Sequence, residues 1–337
     1  MIEEVGMKKR NTTFLGLSFL AGLLFFGQAL SGGAWAAEVT LRDKAAYLVA
    51  LRDTAVTTQR EISRNLVAIV PARDSVNNAR LKGGSLVWEG EPGRSRILVA
   101  AFMSRDSYVR YYKDNLEGGS PEYVLSKSLW VTVTPELRNF FRTTPYWGAG
   151  IIVPTVKRIK QLLGLHPAYD YEVIVEMFAD PSDLFRPSPD PEITDHEAEL
   201  AIPPQAAAAG GLGSNASGDW TFPSDQNPFL ALRTDVFFKD SKWSQAQTYK
   251  EWFSDRADTV YTVGNENDPS TWGWPWTRLG YTYDWGNSAN HIGVSEFVLR
   301  VDPELNGGEA IVRLVRAIDS ATPAWRRYFL TIGDSPN

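Results

Sequence analysis

The sequence contains no cysteine. That excludes a disulfide scaffold, a thiolate metal site, a cysteine nucleophile and a lipid-modified N-terminal cysteine. Histidine is scarce, with three in 337 residues. No H-x-x-x-H or H-E-x-x-H spacing occurs among them, so the local zinc signatures are missing. Positive charge is in deficit: 34 Lys and Arg face 40 Asp and Glu, a formal net charge of −6. A chain of that sign is a poor general binder of nucleic acid or of an anionic membrane surface. Apolar runs long enough for a bilayer crossing are lacking too. The run at 14–26 is short for one. It follows Lys8, Lys9 and Arg10 and precedes Ala34-Trp35-Ala36, the order of a secretory signal with a small-residue cleavage site. The expectation is a signal peptide over residues 1–36, with Met7 as the initiator because the acidic 1–6 segment is foreign to such a leader. The mature chain is then a soluble periplasmic or secreted protein with no membrane span.

What remains is well supplied with core. Apolar residues make up 43% of the chain, enough to stabilise a fold without disulfides. Residues 37–70 read as an N-terminal helix, with Leu48, Leu51, Ala55, Ile62, Leu66 and Ile69 near one face and Pro71 as the stop. From Leu81 the texture turns to strands, at 86–89, 96–102, 130–134 and 171–178. Between them, helices are expected at 104–115 behind Ser104, at 135–141 behind Pro135, and at 156–163 behind Pro154 with Gly164 as the stop. A further helix at 244–254 and strands at 278–284, 293–301 and 310–317 complete the reading. Residues 203–218, P-P-Q-A-A-A-A-G-G-L-G-S-N-A-S-G, carry no charge and read as a flexible insertion containing a sequon at Asn215. The fold expected is α+β: one domain over 71–330 with a mixed, largely antiparallel sheet, helices along one side, and the N-terminal helix ahead of it.

Residues 272–298 hold the densest aromatic stretch: W-G-W-P-W-T-R-L-G-Y-T-Y-D-W-G-N-S-A-N-H-I-G-V-S-E-F-V. Trp272, Trp274, Trp276 and Trp285 are the candidate ligand-binding residues, because flat rings stack on sugars and aromatic ligands and anchor interfaces. Arg278, Asp284 and Glu296 are the candidate catalytic residues. Period-2 alternation puts Arg278 and Asp284 on one strand face, and a return strand brings Glu296 alongside. A carboxyl among apolar neighbours is a proton donor in waiting, and a guanidinium forks to phosphate. Metal binding has weaker signals. Asp195, His196, Glu197 and Glu199 offer a scattered zinc set, and Asp190, Glu192 and Asp195 offer oxygen for calcium; neither spacing is diagnostic, and no metal ligand is assigned. Ser295 in G-V-S-E-F lacks the second glycine of a nucleophile elbow. The sequence names no cofactor.

Four segments carry a resemblance: W-V-T-V-T-P-E-L-R-N-F-F at 130–141, R-I-K-Q-L-L-G-L-H-P at 158–167, E-M-F-A-D-P-S-D-L-F-R-P-S-P-D-P-E-I-T-D at 176–195, and P-W-T-R-L-G-Y-T-Y-D-W-G with G-V-S-E-F-V within 275–298. Together they resemble a family of uncharacterised bacterial proteins. The resemblance brings no activity, but it implies that the blocks on both sides of 203–218 belong to one fold. Two functional classes stay open. One is a binding or interaction protein taking a small-molecule, carbohydrate or protein ligand on an aromatic-rich surface. The other is a hydrolase or transferase for a sugar or nucleotide-like substrate working through Arg278, Asp284 and Glu296. A pocket that brings Glu296 and Arg278 together favours the second.

Overall fold

Residues 97–103 read I-L-V-A-A-F-M and 173–179 read V-I-V-E-M-F-A, nearly unbroken apolar runs such as strands buried on both faces require. In the computed structural model these are β1 (Ile97–Met103) and β4 (Val173–Ala179), paired antiparallel from Ile97 opposite Ala179 to Met103 opposite Val173. They form the centre of a seven-stranded sheet with β2 (Glu122–Leu125), β3 (Leu129–Val133), β5 (Leu184–Phe185), β8 (Phe297–Leu299) and β9 (Ala310–Asp319). Its order is β2-β9-β4-β1-β3-β8-β5, and every pairing is antiparallel. A separate two-stranded ribbon pairs β6 (Tyr281–Tyr283) with β7 (Ile292–Ser295). The structure describes residues 39–70, 79–81, 85–143, 153–200, 249–301 and 310–330; the expected leader, the insertion at 203–218 and its sequon lie outside them.

Alternation along the strands separates two cores. Val99, Ala101, Val131, Val133, Val175, Met177, Phe297 and Leu299 face one side. There they meet Tyr108, Tyr111, Tyr112 and Leu116 from the short helices α2 (Arg105–Tyr111) and α3 (Lys113–Glu117) and their junction. Ala100, Ile174 and Ile318 face the other side, against Leu137 and Phe141 of α4 (Thr134–Thr143), Ile159 and Leu162 of α5 (Val156–Leu162), and Trp325, Tyr328 and Phe329 of α7 (Pro323–Leu330). Trp130, Phe185 and Val298 extend that second side under Trp252 and Phe253 of α6 (Tyr249–Thr259). The α+β class is as the sequence indicates, but the helices cover both faces, not one. The central strands β1 and β4 are buried at odd and even positions alike, so neither face can be left to water there.

The N-terminal helix is shorter than its periodicity suggests. α1 spans Leu41–Thr54, capped by Thr40, whose side chain accepts from the Asp43 amide. It stops where β-branched residues follow, V-T-T at 56–58. The Thr54 hydroxyl turns back to the Ala50 carbonyl, and Arg278 donates to the Thr54 and Ala55 carbonyls, so the open end is satisfied from outside. Beyond it, residues 66–69 are buried at four successive positions, which one face of a helix cannot do. They run extended beside 193–196, with Leu66 N–H to the His196 carbonyl at 2.9 Å and Ile69 N–H to the Ile193 carbonyl at 2.7 Å.

Candidate functional site

The aromatic stretch is an inner wall. Residues 272–274 run against 260–263, with Gly273 N–H to the Thr262 carbonyl and Trp274 N–H to the Val260 carbonyl. A Cβ at Gly273 would lie 1.9 Å from the Val260 carbonyl oxygen, so only glycine permits that approach. Trp272, Trp274, Trp276 and Trp285 are each 5% exposed or less. Trp272 lies 6.0 Å from Tyr47 of α1 in a stack, and Trp285 meets the same ring edge-on at 5.8 Å. Trp274 meets His166 at 5.4 Å, and Trp276 meets Trp130 edge-on at 6.2 Å and Phe253 at 5.0 Å. Their indole N–H groups find carbonyls: Trp272 on Asn265, Trp276 on Pro187, Trp285 on Leu165. The expected exposed aromatic surface is therefore corrected to a buried one. Each ring has a neighbouring element over it, and large rings contribute most to stability when enclosed.

The three candidate catalytic residues separate. Arg278 has φ +59 and Gly280 φ +69, so the chain is not extended there and the alternation of 278–284 begins only at Tyr281. Arg278 turns to the end of α1, donating to the Thr57 hydroxyl at 2.9 Å with its guanidinium 5.3 Å over the Tyr261 ring. Asp284 is 1% exposed, and Arg158 of α5 grips both its oxygens, with Nη1 to Oδ1 at 2.8 Å. Its Oδ1 also accepts from Gly286 N–H at 3.1 Å. A carboxylate so saturated is a brace between α5 and β6.

Glu296 is the residue left with capacity to spare. It is the single residue between β7 and β8, where the chain leaves the ribbon for the main sheet. Its N–H donates to the Gly280 carbonyl at 2.9 Å, and its side chain is buried, with Oε2 lacking a hydrogen-bond partner. Burial pushes the carboxyl up to about 8, against the opposing pull of the Arg256 guanidinium. Arg256 lies 4.9 Å over the Trp130 ring and 5.7 Å over each of Trp252 and Trp276. Tyr261 completes the group: its hydroxyl donates to the Trp276 carbonyl at 2.7 Å, and burial with the Glu296 charge raises it above an ordinary phenol. No ion pair joins Arg278 to Glu296 among the described residues. The cation facing Glu296 is Arg256, which lies beyond the expected helix end at Ser254 because the helix continues to Thr259. The available signal was Trp252 and Arg256, four apart on one helical face.

The metal candidates are used elsewhere. His166 is fully buried, with Nδ1 accepting from Ala168 N–H at 3.1 Å, and burial lowers its ring to about 3. His196 holds the Leu66 carbonyl through Nδ1 at 2.7 Å. The proline-rich loop expected to offer calcium ligands has a cation of its own. Arg186, fully buried, donates to the Glu192 carbonyl at 2.9 Å and the Asp195 carbonyl at 3.0 Å and lies 5.3 Å over Phe297. Among the described residues, the set whose ligand atoms converge within 4.8 Å is Asp53, Glu61 and His291. Ser295, already a poor nucleophile by sequence, is buried with its hydroxyl accepting from Val67 N–H and donating to Glu136. Comparison with protein-family models, with curated proteins and with solved structures finds no significant match for this chain.

Proposed function

We propose that this is an exported binding protein that holds a carbohydrate or a similar polyol at Glu296. One observation carries the reading: a buried carboxyl oxygen without a hydrogen-bond partner. Leaving it so costs about 1–3 kcal/mol, which a ligand hydroxyl would recover. At neutral pH the raised carboxyl is largely protonated and both donates and accepts, as sugar hydroxyls do. Arg256 places a cation beside the carboxyl, and Trp130, Trp276 and Tyr261, each with a guanidinium over its face, make an aromatic surround that limits the ligand to the edges of the rings. Export rests on the leader-like sequence of residues 1–36.

A glycoside hydrolase would use Glu296 as its acid, for which the raised carboxyl is suited. Its second carboxylate is the weak point, since both oxygens of Asp284 are taken by Arg158. Binding is therefore preferred. The test is tryptophan emission during titration with a panel of mono- and oligosaccharides, on the natural chain and on Glu296→Leu. A sugar-dependent shift that Glu296→Leu abolishes is expected. A panel without effect, or a response that survives the substitution, would falsify the reading; release of free sugar from an oligosaccharide would favour the hydrolase.

A further inference from the structure

Asp53, Glu61 and His291 come from three places in the chain: the last turn of α1, the short 3-10 turn Gln59–Glu61 and the loop between β6 and β7. One ligand atom from each lies within 4.8 Å of the others. Each is held in place. The His291 ring lies flat on Tyr283, 4.7 Å between centroids with 2° between planes, and the His291 carbonyl accepts from Asp284 N–H at 2.8 Å. The Tyr283 hydroxyl donates to Asp53 Oδ2 at 2.7 Å. Glu61 Oε2 accepts from Thr58 N–H at 2.6 Å and from the Thr58 hydroxyl at 2.7 Å. Charge is the second observation. Among the described residues no lysine or arginine forms an ion pair with Asp53 or Glu61; Arg278, close by, directs its Nη2 at Thr54, Ala55 and Thr57. The ionisable group facing Asp53 is His291, with Nδ1 at 4.0 Å from Oδ2. Two carboxylates have thus been brought beside an imidazole with no lysine or arginine ion-paired to either among the described residues, and a divalent cation can supply that balance.

We propose that Asp53, Glu61 and His291 bind a divalent transition ion of zinc's class. Imidazole with carboxylates suits such an ion, whereas calcium and magnesium favour all-oxygen shells. Zinc bonds of about 2.0–2.2 Å need the ligand atoms closer than they stand here, by roughly 1 Å. The Asp53 side chain is 46% exposed and His291 30%, so both have room to close and open coordination positions face water. Tyr283 is the positioning residue, since its hydroxyl aims the Asp53 carboxylate and its ring fixes the imidazole plane. Bound metal would tie the end of α1 to the β6–β7 ribbon.

Titration of the full chain with zinc chloride, followed by calorimetry and by thermal melting, tests this. A single ion per chain is expected, with a rise in Tm that magnesium does not give. His291→Ala and Asp53→Asn should each weaken zinc at least ~10-fold, and Tyr283→Phe, which keeps the ring, about 10-fold. Cobalt should show ligand-field bands that His291→Ala removes. If a melt shows His291→Ala unfolded, Asp53→Asn and Glu61→Gln decide. No zinc uptake by the natural chain, or affinity unchanged in the variants that fold, overturns the site.

Discussion

Two carboxylates of the aromatic region, Glu296 and Asp284, are both buried and behave in opposite ways. Asp284 is matched by a fork of Arg158; Glu296 is desolvated with one oxygen unmet. The Glu296 carboxyl in the folded chain titrates near 8, above the ordinary 4.5. A group raised in this way leaves stability intact below the unfolded value and removes it as pH rises through the folded one. The natural chain should therefore lose stability from about pH 4.5 to about 8, by at most ~1.4 kcal/mol per pH unit from this group. Glu296→Gln cannot ionise, so its advantage over the natural chain should grow across that window. Urea melts at a series of pH values measure it; a constant difference between the two proteins contradicts the burial argument. Glu296 was legible in the sequence as a carboxyl beside Phe297. Arg256, Tyr261 and Trp130, which give it its surroundings, were not, because they arrive from three other segments and no local spacing links them to it.

At the scale of elements, the inner strands were the most legible part of the chain. A strand buried on both faces writes itself as an apolar run, and β1, β3 and β4 fall within one or two residues of expectation. Ser104 caps α2, and Gly164, with φ +65, follows the end of α5, both as local signals imply. Period-2 and period-3.6 reasoning failed where a tertiary contact took over. α1 ends where Arg278 caps it, and the strand at 278–284 is delayed by two left-handed residues. Gly280 is the sharper of these. A Cβ there would fall 2.5 Å from Cδ of Arg186, the buried cation that organises the 184–195 loop. Gly119 shares its sign of φ, at +73, but has nothing within 4 Å. Gly280→Ala should therefore cost more than ~2 kcal/mol and Gly119→Ala only about 1 kcal/mol, the difference being the clash. Equal urea midpoints for the two would refute it.

For the whole molecule, residues 39–70 and 79–81 hold together elements that are far apart in sequence, as a strap does. Tyr47 reaches the Gly273 carbonyl at 2.9 Å, Val67 N–H reaches the Ser295 hydroxyl at 2.8 Å, and Arg80 reaches Glu136 at 3.0 Å. Tyr47 alone touches Trp272, Trp285 and His166. Tyr47→Ala should cost about 3–5 kcal/mol, with a red shift of tryptophan emission on the same melting curve as loss of ellipticity. An early, separate fluorescence transition would instead make α1 an independent unit. The strap also sets a timetable. Two of its partners stand 226 and 228 residues downstream, so the contacts of Tyr47 with Gly273 and of Val67 with Ser295 wait until the last third of the chain has been made. Closing loops of that length is slow, and the aromatic wall that α1 covers stays open meanwhile. Those contacts therefore close late in folding, and the interval before they do is the one in which the uncovered aromatic wall can pair with other chains.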